Sequence, residues 1–180
     1  KIIEGSNVIT KISKVNDVVY FQDLEKGLFK IENGQPSLVS NHVVLKNNKI
    51  TDIFYKDEKL FFLTQKEGFY FFDKKSLKRW EISANPYLKN KTIYSSKILS
   101  NGTIILGTIS NGVIYLTDTG AIDYQVDQNL GLSNNTVLSV FEDLDKNVWL
   151  GLDNGINLIN FTSPLKIFVN KKDFLGSIYT

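Results

Sequence analysis

Four times in this chain a glycine opens a short apolar run: Gly27-Leu28-Phe29-Lys30-Ile31, Gly68-Phe69-Tyr70-Phe71-Phe72, Gly112-Val113-Ile114-Tyr115-Leu116 and Gly155-Ile156-Asn157-Leu158-Ile159. The glycines lie 41, 44 and 43 residues apart. A period of that size is the mark of a repeat architecture, in which one unit cannot bury its own apolar face and must stack on the next. The recurrence therefore constrains the fold more than any single residue.

Used as rulers, the glycines divide each unit into four strands. Counting back 18 residues gives Ile9, Ile50 and Val137, while Ile93 lies 19 before Gly112, an offset assigned here to one extra residue in Thr108-Ile109-Ser110-Asn111. The first strands are expected at Ile9 to Val15, Ile50 to Tyr55, Ile93 to Leu99 and Val137 to Glu142. The second strands follow at Val18 to Gln22, Leu60 to Thr64, Thr103 to Thr108 and Val148 to Leu152. Each glycine opens a third strand, and the fourth strands are Ser37 to Ser40, Leu77 to Ile82, Ile122 to Val126 and Leu165 to Val169. These runs are rich in β-branched and aromatic residues and end at Asn, Asp and Gly turns, the pattern of short antiparallel strands. No segment carries a helical period over 11 or more residues.

Four short antiparallel strands at this period make a propeller blade. The fold class is thus all-β, a partial β-propeller of four-stranded repeats of about 43 residues. Approximate blades cover residues 7–40, 48–83, 92–127 and 135–170, and residues 171–180, with Phe174-Leu175-Gly176-Ser177-Ile178-Tyr179, open a further one. A closed four-blade disc, an arc of a larger propeller and arcs joined across chains all satisfy this count. An arc would leave apolar end blades uncovered and so favour self-association.

Composition narrows the function. The formal net charge is +2, and the 21 basic residues are lysines apart from Arg79, scattered along the chain. A nucleic-acid surface usually shows a basic stripe rich in Arg, so none is expected. There is no cysteine, which removes disulfides and thiolate metal sites. No apolar run reaches the 18 or more residues of a membrane helix, so no membrane contact by this segment is expected. The chain starts at Lys1 and lacks Met altogether, and reads as a segment of a longer protein.

The fourth unit contains Gly131-Leu132-Ser133-Asn134-Asn135-Thr136-Val137-Leu138-Ser139-Val140-Phe141-Glu142-Asp143, then Asn147-Val148-Trp149-Leu150-Gly151-Leu152-Asp153-Asn154-Gly155-Ile156. It resembles the two-component regulator propeller repeat, with Asn147 in place of a turn glycine and Leu152 in place of the usual Thr. The third unit keeps Leu106-Gly107-Thr108 and Asn111-Gly112 with Ile105 at the Trp position, and the first two units keep only the strand rhythm and the glycine. The resemblance implies an extracytoplasmic, periplasmic sensor segment of a histidine kinase or hybrid two-component regulator. It further implies signal transduction in response to a glycan-derived oligosaccharide, with neighbouring propeller blades and domains of the parent chain as partners. The competing reading is a structural or protein-interaction propeller with no small ligand.

Chemistry-bearing residues are few. His42 is the only histidine and is expected as a solvated loop residue. The pair Glu142-Asp143 sits on adjacent strand positions, which face opposite ways and do not converge on one bond as paired glycosidase carboxylates do. Glu142-Asp143-Leu144-Asp145 lacks the order of a calcium loop. The chain is therefore read as no enzyme, with no cofactor and no metal.

Trp149 is expected as a packing residue between blades, alongside the motif residues Gly27, Gly68, Gly107, Gly112, Gly151 and Gly155. Trp80, beside Arg79, is expected to be partly exposed. Tyr55, Phe61, Phe62, Phe69, Tyr70, Phe71 and Phe72 are assigned to the second blade's core. Propeller geometry places the loops before each first strand and the turns after each second strand on one face. Their amides and lysines are the ligand candidates: Asn90, Lys91, Tyr94, Asn111, Asn134, Asn135 and Asn154, with Asn47, Asn48, Asn85 and Lys89 nearby. Amides suit hydroxyl-rich ligands and lysines favour acidic sugars.

Overall fold

Turn chemistry decides where this chain reverses. Asn16-Asp17 and Asp57-Glu58 all take positive φ, giving the two-residue hairpin turns whose twist matches paired strands. The computed structural model describes residues 8–74 and 76–160. Within them the chain is all-β and built of propeller blades, as the repeat implies.

The first blade is β1 (Ile9–Val15), β2 (Val18–Asp23), β3 (Gly27–Glu32) and β4 (Gln35–Ser40). A short helix, α1 (Val43–Asn47), leads to the second blade, β5 (Ile50–Lys56), β6 (Lys59–Thr64), β7 (Gly68–Asp73) and β8 (Ser76–Arg79). After α2 (Asn85–Leu88) come β9 (Thr92–Ile98), β10 (Ile104–Ile109), β11 (Val113–Leu116) and β12 (Ile122–Val126). A 3-10 turn at Gln128–Leu130 precedes β13 (Val137–Glu142), β14 (Val148–Leu152) and β15 (Gly155–Ile159). Neighbouring strands pair in chain order and antiparallel in every sheet. The expected strand Leu165 to Val169 and the opening of a further blade at 171–180 lie outside the described residues.

The chain forms two compact units: the first two blades with residues 85–90, and the later blades with residues 82–84. In the first unit, Leu28 of β3 and Leu45 of α1 pack with Ile50, Ile53 and Phe62 of the second blade. In the second unit, Ile105, Val113 and Tyr115 pack with Val137, Val148 and Leu150. Each such large side chain taken out of water contributes about 1.5–3 kcal/mol, so stacked blade faces are the main source of stability. Tyr115 also stacks on Tyr124 with ring centroids 4.1 Å apart.

Every first strand carries a bulge near its start, leaving Thr10, Thr51, Tyr94 and Leu138 outside the paired register. Bulges strengthen the local twist, and repetition at the same place gives each blade the same bend. Two of the glycines at the third strands have a steric reason. Gly112 has φ of +68°, and a Cβ there would lie 2.1 Å from the Val126 carbonyl oxygen; at Gly27 the corresponding approach to Ser40 is 2.2 Å. The fourth strand passes too close for a side chain.

Several expectations are corrected. The extra residue of the third unit lies in the first hairpin, not in 108–111: Leu99 and Thr103 enclose a three-residue turn with Gly102 at positive φ. The fourth blade has the same turn, and its left-handed residue is Lys146, not Asn147. Gly112 precedes β11 rather than starting it, because its carbonyl closes the turn to Thr108. The fourth strand of the second blade stops at Arg79 instead of reaching Ile82, since Ala84 donates to the Gly120 carbonyl and Ile82 packs under Gly120. Two short helices and a 3-10 turn fill the loops before first strands, too short to leave a period in the sequence.

Candidate functional site

The loops expected to share a face are joined to each other within each unit. Glu25, in the β2–β3 turn, donates to the Lys46 carbonyl at 3.0 Å, and Gln65 donates to Lys49 at 2.8 Å. In the second unit, Gly112 donates to the Asn135 carbonyl at 2.8 Å and Asp153 to Thr136 at 3.1 Å. Backbone groups of one blade's turn are thus satisfied by the loop that leads into a first strand.

In the first unit this arrangement makes a pocket of about 260 Å³, lined by Lys66, Glu67, Gly68, Arg79, Asn85, Leu88, Lys89 and Asn90. The β6–β7 turn forms one wall and is fixed by Thr64, whose hydroxyl donates to the Gly68 carbonyl at 2.9 Å and accepts from the Glu67 amide at 3.0 Å. Thr108 does the same in the third blade, to Gly112 and from Asn111. In the fourth blade Leu152 pairs across a two-residue turn with Gly155, which leaves no gap for such a hydroxyl to bridge.

The second wall is held by Trp80 and Asn85. The Trp80 ring meets Phe61 and Phe69 edge-on at 5.3 and 5.4 Å, and its amide donates to the Phe69 carbonyl. Asn85, only 9% exposed, donates its side-chain amide to the Trp80 carbonyl at 3.0 Å and to the Glu81 carboxylate at 3.2 Å. Its Oδ1 is buried with no donor. Gly68 faces it: a Cβ there would stand 3.5 Å from Oδ1. Leu88 supplies a buried apolar surface.

Charge gathers at this pocket. Lys66 comes from the β6–β7 turn, Arg79 from the end of β8 and Lys89 from the residue after α2, with Glu67 the one lining carboxylate. Arg79 pairs in register with Tyr70. Burial pushes the Tyr70 phenol above its ordinary value; Arg79 opposes this, while Glu67 and Glu81 add to it.

Of the residues proposed from sequence, Asn90 lines the pocket, whereas Lys91 and Tyr94 do not. Tyr94 is the bulged residue of β9 and is half exposed. Asn111, Asn134 and Asn135 lie where the β10–β11 turn meets the loop before β13. The backbone carbonyl of Asn111 accepts from the Gln125 side chain at 2.6 Å, while the Oδ1 atoms of Asn134 and Asn135 accept from the backbone amides of Thr136 and Gln128. Asn154 is exposed in the β14–β15 turn. Sequence reasoning passed over Lys66, Glu67 and Arg79; that Arg79 is the chain's one arginine was the available signal.

Trp149 lies on the last described blade, where it is 41% exposed and its indole donates to Asp143 at 2.8 Å; a blade following it falls outside the described residues. Phe141 and Leu158 are its cross-strand neighbours and are exposed as well. Tyr55 also lies open rather than in the second blade's core, while Phe61, Phe62 and Phe69 are buried there. Trp80 is partly exposed as expected. His42 is exposed and caps α1 by accepting from the Val44 amide at 3.3 Å.

Glu142 accepts from the amide and hydroxyl of Ser100, both at 2.8 Å, tying two blades of the second unit. Asp143 accepts from Trp149 and from both nitrogens of Asn147, and these bonds, Trp149 first, hold its carboxyl below the usual carboxylate range. Among the described residues no cluster of three or more His, Asp or Glu could hold a metal, and no helix is long and apolar enough to cross a membrane.

No family model matches the chain, and no curated protein matches it. Among solved structures it is similar to the extracellular domain of BT4673 from B. thetaiotaomicron, assigned as a hybrid two-component system. The identity is 24% and the TM-score 0.64, over 87% of this chain and 22% of that one. The extracellular domain of BT3049 from the same organism, with the same assignment, matches at 19% identity and TM-score 0.65, over 85% of this chain and 21% of that one. The computationally designed Ika4 protein matches at 12% identity and TM-score 0.62, over 88% of this chain and 94% of its own. These likenesses show the fold. The chain spans about a fifth of the length of the two extracellular domains.

Proposed function

We propose that this chain is a ligand-sensing propeller segment from the extracytoplasmic, periplasmic part of a two-component regulator, and that it binds a glycan-derived oligosaccharide without transforming it. The observation that carries the reading is the pocket between the β6–β7 turn and α2. It is concave, lined by amides, cations and one buried leucine, and built on the face where a propeller's loops present ligands. The fold shared with extracellular domains of hybrid two-component systems supports it. Glu142 and Asp143 are each committed to structural hydrogen bonds, which supports binding rather than hydrolysis. Neighbouring blades and domains of a parent chain would carry the signal onward.

Thermal-shift screening of the chain against neutral and acidic oligosaccharides tests this. Saccharide-specific stabilisation is expected; a flat response across a broad panel would shift the reading to a protein-interaction module. One observation favours that second reading: the exposed row Phe141, Trp149 and Leu158 on one sheet face is suited to docking a protein, including a second copy.

A further inference from the structure

We infer that the Lys66–Arg79–Lys89 pocket selects saccharides bearing an acidic group, a uronate carboxylate or a sulfate ester, over neutral ones. This rests on the saccharide reading above and assigns the pocket its chemistry. Three cations reach it from three separate elements, and none of them makes an ion pair among the described residues. Six other described lysines are paired with carboxylates, among them Lys14–Asp17, Lys26–Asp23 and Lys78–Asp73. The lining itself sets three cations against one carboxylate, Glu67, with the Glu81 carboxylate held behind Asn85. Concentrating cations without partners in a concave polar site raises the local potential for an anion.

The remaining lining fits the rest of such a ligand. The Asn85 amide nitrogen is spent on Trp80 and Glu81, and its Oδ1 lacks a donor, a condition that a hydroxyl on the sugar would relieve. Asn90 offers a second amide, and Leu88 an apolar patch for a ring face. At about 260 Å³ the pocket falls just below the range of about 300–1,000 Å³ common for small-molecule sites. It suits one ring with its charged substituent, while further sugar units extend into solvent.

Calorimetric titration of the whole chain with a neutral oligosaccharide, an oligogalacturonate and a sulfated oligosaccharide tests the inference, with inorganic sulfate as the bare ion. Expected is binding of at least one acidic saccharide, with affinity falling as salt rises. Arg79→Gln and Lys89→Gln should each weaken it about tenfold, the loss of one charge-assisted hydrogen bond, and Lys14→Gln should leave it unchanged. Circular dichroism of the variants establishes that they fold. The uronate and sulfate arms show which acidic group is read.

Binding of a neutral oligosaccharide alone, indifferent to Arg79→Gln, would overturn this inference and leave the sensor reading standing. Inorganic sulfate binding as tightly as the sulfated saccharide would overturn it too, since the pocket would then read an ion and no sugar. Absence of binding in every arm would overturn both readings.

Discussion

The side-chain amide of Gln22 donates to the carbonyl of Asn48 at 2.7 Å, from the second strand of one blade to the loop that leads into the next. The same nitrogen donates to Leu45, and Oε1 accepts from Ile50 and from Thr10. Gln22 is fully buried, and its carboxamide satisfies α1 and the start of β5 together. At the matching register position the second blade has Leu63 and the third Gly107, so the clamp belongs to this blade pair alone among the described blades.

Replacing that residue with the leucine of the next blade should therefore fail. Gln22→Leu leaves the Leu45 and Asn48 carbonyls and the Ile50 amide without that partner, at about 1–3 kcal/mol for each buried group left unpaired. Urea unfolding should show a loss of at least about 2 kcal/mol. A variant as stable as the parent would mean the clamp is dispensable.

The glycines should not cost the same to replace. Gly112→Ala forces a Cβ against the Val126 carbonyl at positive φ, whereas at Gly155 no atom stands within 4 Å and only the backbone conformation objects. Gly155→Ala should lose about 1–2 kcal/mol, the left-handed penalty, and Gly112→Ala clearly more. Equal losses in chemical denaturation would refute the close approach of the fourth strand.

Alkaline pH should expose the Tyr115–Tyr124 stack. Burial raises both phenols well above their ordinary value, with Tyr124 adding to the rise at Tyr115 and Asp123 to that at Tyr124. A group bound more tightly to its proton in the folded state gives stability that is complete below the unfolded value of about 10 and lost as pH rises beyond it. Ultraviolet titration should leave two of the eight tyrosines un-ionised until the fold opens. Reversible ionisation of all eight near pH 10 with the fold intact would contradict the packing.

Self-association should follow from the open apolar row of the fourth blade. Phe141 is 60% exposed and Leu158 51%, on either side of Trp149. Light scattering should show concentration-dependent association, weakened by Phe141→Lys. A monomer at all concentrations would argue that this face has no partner in a second copy.

What could be read in the sequence was what the backbone demands. Gly27 and Gly112 recur because a neighbouring strand forbids a side chain, so their spacing marked the blades and most strand limits. Gln22 was illegible because a polar residue in a strand looks solvent-facing until the loop it clamps is known. Trp149 was legible only as a large aromatic at a motif position; that its indole is tied to the Asp143 carboxylate depends on the hairpin that brings Asp143 and Asn147 together. The pocket was half legible. Its loops share the expected face, and Asn90 is one of the sequence's candidates; Lys66 and Arg79 join it only because β8 stops early and the chain turns back through Asn85 toward Gly68.

The most direct test of the account follows the amides of the isotopically labelled chain by NMR during titration with acidic oligosaccharides. Saturable shifts centred on Gly68, Asn85, Lys89 and Asn90 are the predicted result. Shifts confined to residues away from this pocket, or none with any saccharide, would contradict it.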